Sequence, residues 1–368
     1  MPRIALIFSL MIVISCTHRG EITLSETAAS VGKVEQVFIG TTRLQEPDGG
    51  FGSHRSEAIN FVRFDISVPP QRTLGEINWP KRGTEGNPQT EFLTTDQQLY
   101  PSGEAFRADL RRQLAASDGE AVIFIHGYNT NFAEGLYRVA QFTHDLELPG
   151  AVVLYSWPSA AEPLGYAYDR DSALFAREGL ESLIHEVGAA GAKRILLVAH
   201  SLGSGLTMEA LRSAAIRGDK KTLALIGGVL LISPDIDVDV FRAQSHAMGS
   251  LPQPFVIFGS DRDKSLRLSA MLTGQEARLG SLSDVSRLAD LKVTFADVGN
   301  FSVGRGHFVV GDSAALILLL DRIGDVQSAF EADRRSRLSL LSGVVLTVQN
   351  ATQIILAPIG RVATQLSQ

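Results

Sequence analysis

Residues 196–205 read LLVAHSLGSG, an apolar run that ends on Ser201 between a histidine and a leucine, with Gly203 and Gly205 close behind. A serine hydroxyl is a poor nucleophile near neutral pH. It needs a base in hydrogen-bond reach, and the base needs an acid to hold its tautomer. The chain offers both further on. After PFVIFGS comes DRDKSL, with Asp261 and Asp263, and after LKVTFADVG comes NFSVGRGHFVVGD, with His307. Asp263 is preferred to Asp261, because a few residues beyond a strand let the carboxylate turn back whereas Asp261 lies at the immediate turn. Asp235 and Asp237, after GGVLLISP, are weaker substitutes one strand earlier. Charge that develops on a carbonyl oxygen also needs donors. The backbone N–H of Leu202 is one candidate; that of Tyr128, in IFIHGYNTNF, is the other. In that segment Gly127 permits close approach and Asn129 buttresses the loop, the alternative being an ordinary Gly-Asn turn. His126, at the end of the same run, and Trp157, followed by Pro158, are read as substrate-facing, plain packing being the competing role for Trp157.

Such residues work only if strands and turns carry them to one place. The Ile-Leu-Leu-Val run of 194–199 predicts a buried strand and the spacing of 203–217 a helix, so Ser201 falls on a sharp strand-to-helix turn, a nucleophile elbow. Residues two before and two after must be small, and Ala199 and Gly203 qualify, with alanine where the G-x-S-x-G pattern has glycine. The alternative is a serine that merely caps the next helix. Eight β-rich runs are expected, from residues 34, 60, 121, 151, 194, 227, 254 and 291. Helical patterns at 105–116, 132–146, 171–188, 203–216 and 313–332 lie between or after them. This alternation predicts an α/β fold with a mostly parallel sheet covered on both faces. Residues 48–87, rich in Gly, Pro and charge, read as strands and loops of an N-terminal extension.

With 368 residues, 45% apolar and 20% charged, the chain is long enough for a large core. The net charge of −6 includes no basic stripe, so no nucleic-acid partner is expected. Cys16 is the single cysteine, which excludes an internal disulfide framework and a cysteine metal site. No metal-binding histidine spacing occurs, and neither metal nor cofactor is implied. His18, His54, His144, His185 and His246 read as tether or surface residues, and His200 is given no part in proton transfer. The segment MPRIALIFSLMIVISC has the shape of a signal, too short to span a membrane as a mature helix. The apolar stretch 337–360 is interrupted by Gln349, Asn350 and Gln353, so it is expected to pack on the body rather than lie on a membrane surface.

Val13-Ile14-Ser15-Cys16 resembles a bacterial lipobox. That resemblance implies a signal peptide at 1–15, acylation of Cys16 and a membrane tether over 16–33, and Thr17 favours the outer membrane with the body facing the periplasm. A cleaved signal with a chance cysteine, hence a secreted or periplasmic protein, is the alternative. HGYNTNF, YSWPS, the Tyr168-Asp169 pair, VAHSLGS, SPDID and DRDKSLRLS together resemble a bacterial branch of the α/β-hydrolase (esterase/lipase) superfamily. VFIGTTR and VPPQRTLGEINWP resemble that branch's N-terminal extension. The resemblance implies an eight-stranded hydrolase domain over 34–325 with a Ser201–Asp263–His307 triad but brings no established substrate; the triad chemistry itself points to a small acyl or lipid-like substrate, and 326–368 is left as a helical apolar tail. An acyltransferase with the same triad and a non-catalytic envelope binding protein are the rival readings.

Overall fold

The computed structural model describes residues 19–148, 150–274, 277–301, 307–314, 316–317 and 343–356. The chain opens with a 3₁₀ turn, Glu26–Ser30, followed by a hairpin of β1 (Lys33–Gln45) and β2 (Phe51–Val68) and by β3 (Leu93–Tyr100). Strands and helices then alternate: α1 (Gly103–Ala116), β4 (Glu120–Ile125), α2 (Phe132–Asp145), β5 (Ala151–Ser156), α3 (Tyr166–Phe175), α4 (Arg177–Ala189), β6 (Arg194–His200) and α5 (Leu202–Ile216). Next come α6 (Lys220–Leu225), β7 (Ile226–Ile232), α7 (Val238–Met248), β8 (Phe255–Gly259), α8 (Lys264–Leu272), β9 (Thr294–Asp297), α9 (Val309–Asp312), β10 (Gly343–Val348) and β11 (Ala351–Leu356).

All these strands share one sheet in the order β10-β11-β9-β8-β7-β6-β4-β5-β1-β2-β3. The pairings from β1 through β5, β4, β6, β7, β8 and β9 to β11 are all parallel, and antiparallel strands flank that run at both ends. Successive side chains of a strand point to opposite faces, and the core divides accordingly. Phe38, Ile123, Val153 and Leu197 belong to the cluster on one face, while Val37, Ile39, Val122, Leu154 and Val198 belong to that on the other. Burial on both faces explains the near-continuous apolar runs of the parallel strands.

The fold departs from the sequence reading in four places. The eight runs all form strands, but among the described residues the sheet has eleven. The missed β3, LTTDQQLY, lies at the sheet edge with Gln97 and Gln98 exposed, so it carries no apolar signal. The tail is not helical where it is described: β10 and β11 form a hairpin that docks parallel on β9. Gln349 and Asn350, which interrupt the apolar stretch, are its two-residue turn, with Gln349 at φ 53°, and the β-branched residues on either side suit a sheet edge better than a helix. The boundary at 325 therefore does not separate this part from the domain. The polar tether does not hold from Arg19 onward either. Arg19 pairs with Glu134 at 2.7 Å, Leu24 bridges to Thr94, and Ala28 is fully buried. Ion pairing and the backbone bridge fix this segment to the body despite its polarity. The predicted 171–188 helix is two helices meeting at Ala176, whose carbonyl accepts a bond from Tyr155 Oη at 2.5 Å. Cys16 and the signal lie outside the described residues, as do most of the predicted 313–332 helix and the segment 357–368.

Candidate active site

The chain leaves β4 for β5 on one side and returns past β4 to build β6 on the other, so β4 and β6 are neighbours at a topological switch point. In such sheets the usual place for a ligand is outside the carboxyl ends of the strands at such a point. Ser201 follows β6 and the HGYN loop follows β4. Ser201 has φ 52° and ψ −122°, a left-handed backbone that costs a non-glycine residue about 1–3 kcal/mol. The surroundings hold it there. Ser201 N–H donates to Ile232 O at 2.9 Å, and Ser201 O accepts from Asp235 N and Ser204 N, both at 3.1 Å.

Small neighbours are needed for a reason that the structure makes specific. A Cβ added to Gly203 would collide with the carbonyl oxygen of His126 and lie 2.8 Å from that of Ile125. The start of α5 thus rests directly on the end of β4. A Cβ on Gly127 would lie 2.9 Å from Ser201 Cβ, so the HGYN loop passes against the elbow. Neither Tyr128 N–H nor Leu202 N–H has a protein acceptor among the described residues. The Tyr128 side chain points to another strap, donating its hydroxyl to Pro163 O at 2.6 Å.

His307 and Asp263 are brought together: His307 Nδ1 lies 2.8 Å from Asp263 Oδ2. Asp263 caps α8, its Oδ1 accepting from Ser265 N at 2.9 Å and Leu266 N at 3.0 Å. One oxygen thus anchors the carboxylate, which is fully buried, and leaves the other for the ring. His307 Nε2 has no protein partner among the described residues, and no hydrogen bond joins it to Ser201 Oγ. The competing acids make no bond to His307 among the described residues. Asp235 holds Ser269 Oγ at 2.7 Å, Tyr166 Oη at 2.9 Å and Arg278 at 3.0 Å, while Asp261 is exposed. Asp237 caps α7.

Two residues expected to face a substrate do not line an open pocket. Trp157 is fully buried and stacks on His126 with ring centroids 4.9 Å apart. Trp157 Nε1–H donates to His126 O at 2.7 Å. The His126 ring lies 2.9 Å from Gly127 O through Nδ1 and 3.0 Å from Trp157 O through Nε2. Burial, reinforced by the charge of Arg43, lowers its pKa to about 3. A neutral imidazole has one N–H to give to these two carbonyls. Both residues support the loop from beneath, because the apolar end of β4 and β5 leaves them under it rather than above it.

Sequence reasoning missed three groups around the site. His200 lies 4.8 Å ring to ring from His307 and its Nε2–H donates to His307 O at 3.3 Å, so it backs the base. Burial and the neighbouring His307 hold its pKa well below the ordinary imidazole value. Arg43 is buried and donates to Ser156 Oγ, Gly52 O, Ser159 O and Thr130 O. Burial lowers its pKa to about 10, with Asp169 and Glu134 opposing the shift. Asp169 is fully buried and accepts from Asn129 N, Ser159 Oγ and Ala160 N. A charge closing the buried run VFIGTTR was a signal for Arg43; Asp169 lies on a helix with only a weak apolar stripe, and nothing local marks it as buried.

No curated protein matches the chain. Solved structures similar to it include esterase Est22, at 11% identity over 83% of this chain and 83% of that one, TM-score 0.37. Brefeldin A esterase, a bacterial homologue of human hormone sensitive lipase, is 13% identical over 91% of this chain and 72% of that one, TM-score 0.35. Lipase B of Aspergillus fumigatus is 14% identical over 44% of this chain, which spans 43% of its length, TM-score 0.29. Residues 102–306, from α1 to the segment before His307, match the family described as alpha/beta hydrolase of unknown function (DUF900). That match takes in more than half of the sequence and both loops at the switch point, and the chain belongs to this α/β-hydrolase family.

Proposed function

We propose that the protein is a serine hydrolase that cleaves a carboxylic ester or related acyl bond through an acyl-enzyme on Ser201. The observation that carries this reading is the strained elbow serine beside the HGYN loop, with a His307–Asp263 pair from the segments that follow β9 and β8. In this reading Ser201 Oγ attacks the acyl carbon while its proton passes to His307 Nε2. Asp263 keeps the proton of the other nitrogen, Nδ1, in place and stabilises the imidazolium. The N–H groups of Tyr128 and Leu202 receive the carbonyl oxygen as it becomes negative. The bond to the leaving group then breaks and His307 returns its proton to the departing alkoxide. Water repeats the sequence on the acyl-enzyme, releasing the acid and freeing Ser201. The substrate is a small acyl or lipid-like ester, and acylated Cys16 holds the enzyme on the envelope membrane, the body facing the periplasm. No helix among the described residues is long and apolar enough to cross a membrane.

A fluorophosphonate probe tests this reading, followed by hydrolysis of a chain-length series of nitrophenyl esters. The wild-type chain labels at Ser201 and turns over the esters, whereas Ser201→Ala loses both, with turnover falling by about 10⁶-fold. Labelling that persists in the folded Ser201→Ala chain assigns the nucleophile elsewhere and refutes the proposal.

A further inference from the structure

The backbone between β4 and α2 is held by more charge than a surface loop requires. Asn129 N–H donates to Asp169 Oδ2 at 3.0 Å. Its carbonyl accepts from Arg19 at 3.1 Å, and its side-chain oxygen accepts from the same guanidinium at 3.0 Å. One residue on, Thr130 O accepts from Arg43 Nη2 at 2.8 Å and Thr130 N–H donates to Ser159 Oγ at 3.2 Å. Ser159 joins the two charges: its hydroxyl donates to Asp169 Oδ2 at 2.6 Å and its carbonyl accepts from Arg43 Nη1 at 3.1 Å. Asn129 itself has φ 55°, a conformation that a free loop populates sparsely.

Asp169 and Arg43 are both buried, yet neither makes an ion pair among the described residues. A buried charge without a counter-ion in contact is expensive, and it persists only when its hydrogen bonds are made. Here those bonds go to peptide groups of residues 129–130 and 159–160. Charge-assisted bonds are roughly twice as strong as neutral ones. They pin the loop from two sides, immediately after the peptide unit that carries Tyr128 N–H. That unit is planar and trans, so its N–H points opposite to Gly127 O, which the His126 ring engages at 2.9 Å.

We propose that Asp169 and Arg43 are positioning residues that hold Tyr128 N–H at the place where the carbonyl oxygen of an ester develops its charge. This rests on the reading of Ser201 as the nucleophile. Neither residue touches the substrate; each acts through the backbone of the loop.

The test uses the full chain and the variants Asp169→Asn and Arg43→Lys, with Ser159→Ala as the milder change should either of those fail to fold. Four quantities are measured: kcat and KM for nitrophenyl acetate, the second-order rate of fluorophosphonate labelling, and amide hydrogen exchange in peptides covering 126–131. The expected result is a fall in kcat of about 10- to 100-fold with KM within about threefold, since a misplacement near 1 Å costs on that order. Labelling slows in parallel, and exchange at 126–131 speeds up about tenfold while β6 is unchanged. A merely structural role would lower the melting temperature and leave kcat of the folded fraction intact, which overturns the proposal. Unchanged exchange at 126–131 overturns it as well, whatever the activity. A wild-type chain that neither labels nor turns over esters removes the hydrolase reading and with it the assigned purpose of the clamp, and the exchange data then show separately whether the clamp holds the loop.

Discussion

Gly203 and Gly205 lie two residues apart in the same helix, and the structure assigns them opposite responses to the same substitution. In Gly203→Ala the new methyl group would lie 2.8 Å from Ile125 O and closer still to His126 O. Ordinary contact is roughly 3.5 Å, so the end of β4 must retreat by at least about 0.7 Å. That strand end leads directly into Tyr128, and displacement approaching 1 Å near the reacting centre costs on the order of 10²-fold in turnover. Overpacking adds a stability loss of about 1–3 kcal/mol. In Gly205→Ala the nearest atom is Ile236 Cγ1 at 3.7 Å, an ordinary contact. The helix then gains the advantage of alanine over glycine, about 1 kcal/mol, and the site is untouched. The assay is a paired comparison of kcat for a nitrophenyl ester and of urea-unfolding free energies, with fluorophosphonate labelling as a second reading of the site. Gly203→Ala is expected to be slower and less stable, and Gly205→Ala equally active and more stable. Wild-type turnover in Gly203→Ala would refute the claim that the small residue exists to let α5 rest on β4.

Three further outcomes follow from the same contacts. Asp263→Asn is expected to lower ester turnover by about 10⁴-fold, as loss of the tautomer-setting bond does in a comparable triad, whereas Asp261→Asn changes it little; equal small effects would separate the His307–Asp263 pair from catalysis. Burial alone would raise the pKa of Asp145, but hydrogen bonds from Arg72, Gln141 and Gly75 N–H hold it below the ordinary value. A depressed carboxylate stabilises the fold above its unfolded pKa, about 3.9, and loses that contribution as pH falls through the folded value. Asp145→Asn should therefore cost about 3 kcal/mol at neutral pH, with the difference from wild type shrinking below about pH 4; a constant difference across acid titration of the unfolding midpoint would contradict this. Cys16→Ser is expected to abolish fatty-acid labelling and move the protein from membrane to soluble fractions with unchanged ester turnover, and a variant that stays wholly in the membrane would assign attachment to another segment.

The elements that local chemistry dictates were legible in the sequence. Buried parallel strands need apolar residues on both faces, so the runs at 121, 151, 194, 227 and 254 declared themselves, and Gly203 behind Ser201 marked a turn that only a small residue permits. That Ser201 follows a buried strand at a sharp turn was also readable, because strand-to-helix turns have their own composition. What the sequence could not settle depends on contacts between distant segments. The polar edge strand β3 takes its structure from pairing with β2, and the 343–356 hairpin takes its from docking on β9. Which carboxylate meets His307 depends on Asp263 capping α8 with one oxygen and leaving the other free, while Asp235 is drawn away by Tyr166, Ser269 and Arg278. Trp157 and His126 are chemically suited to line a pocket, and only packing places them beneath the loop. Arg43 and Asp169 lie 126 residues apart, and their partners come from β1–β2, the HGYN loop and the segment after β5. The apolar run before Arg43 marks its neighbourhood as buried, whereas nothing local does so for Asp169; that both charges are bonded to peptide groups of one loop is decided only when the sheet brings those segments together.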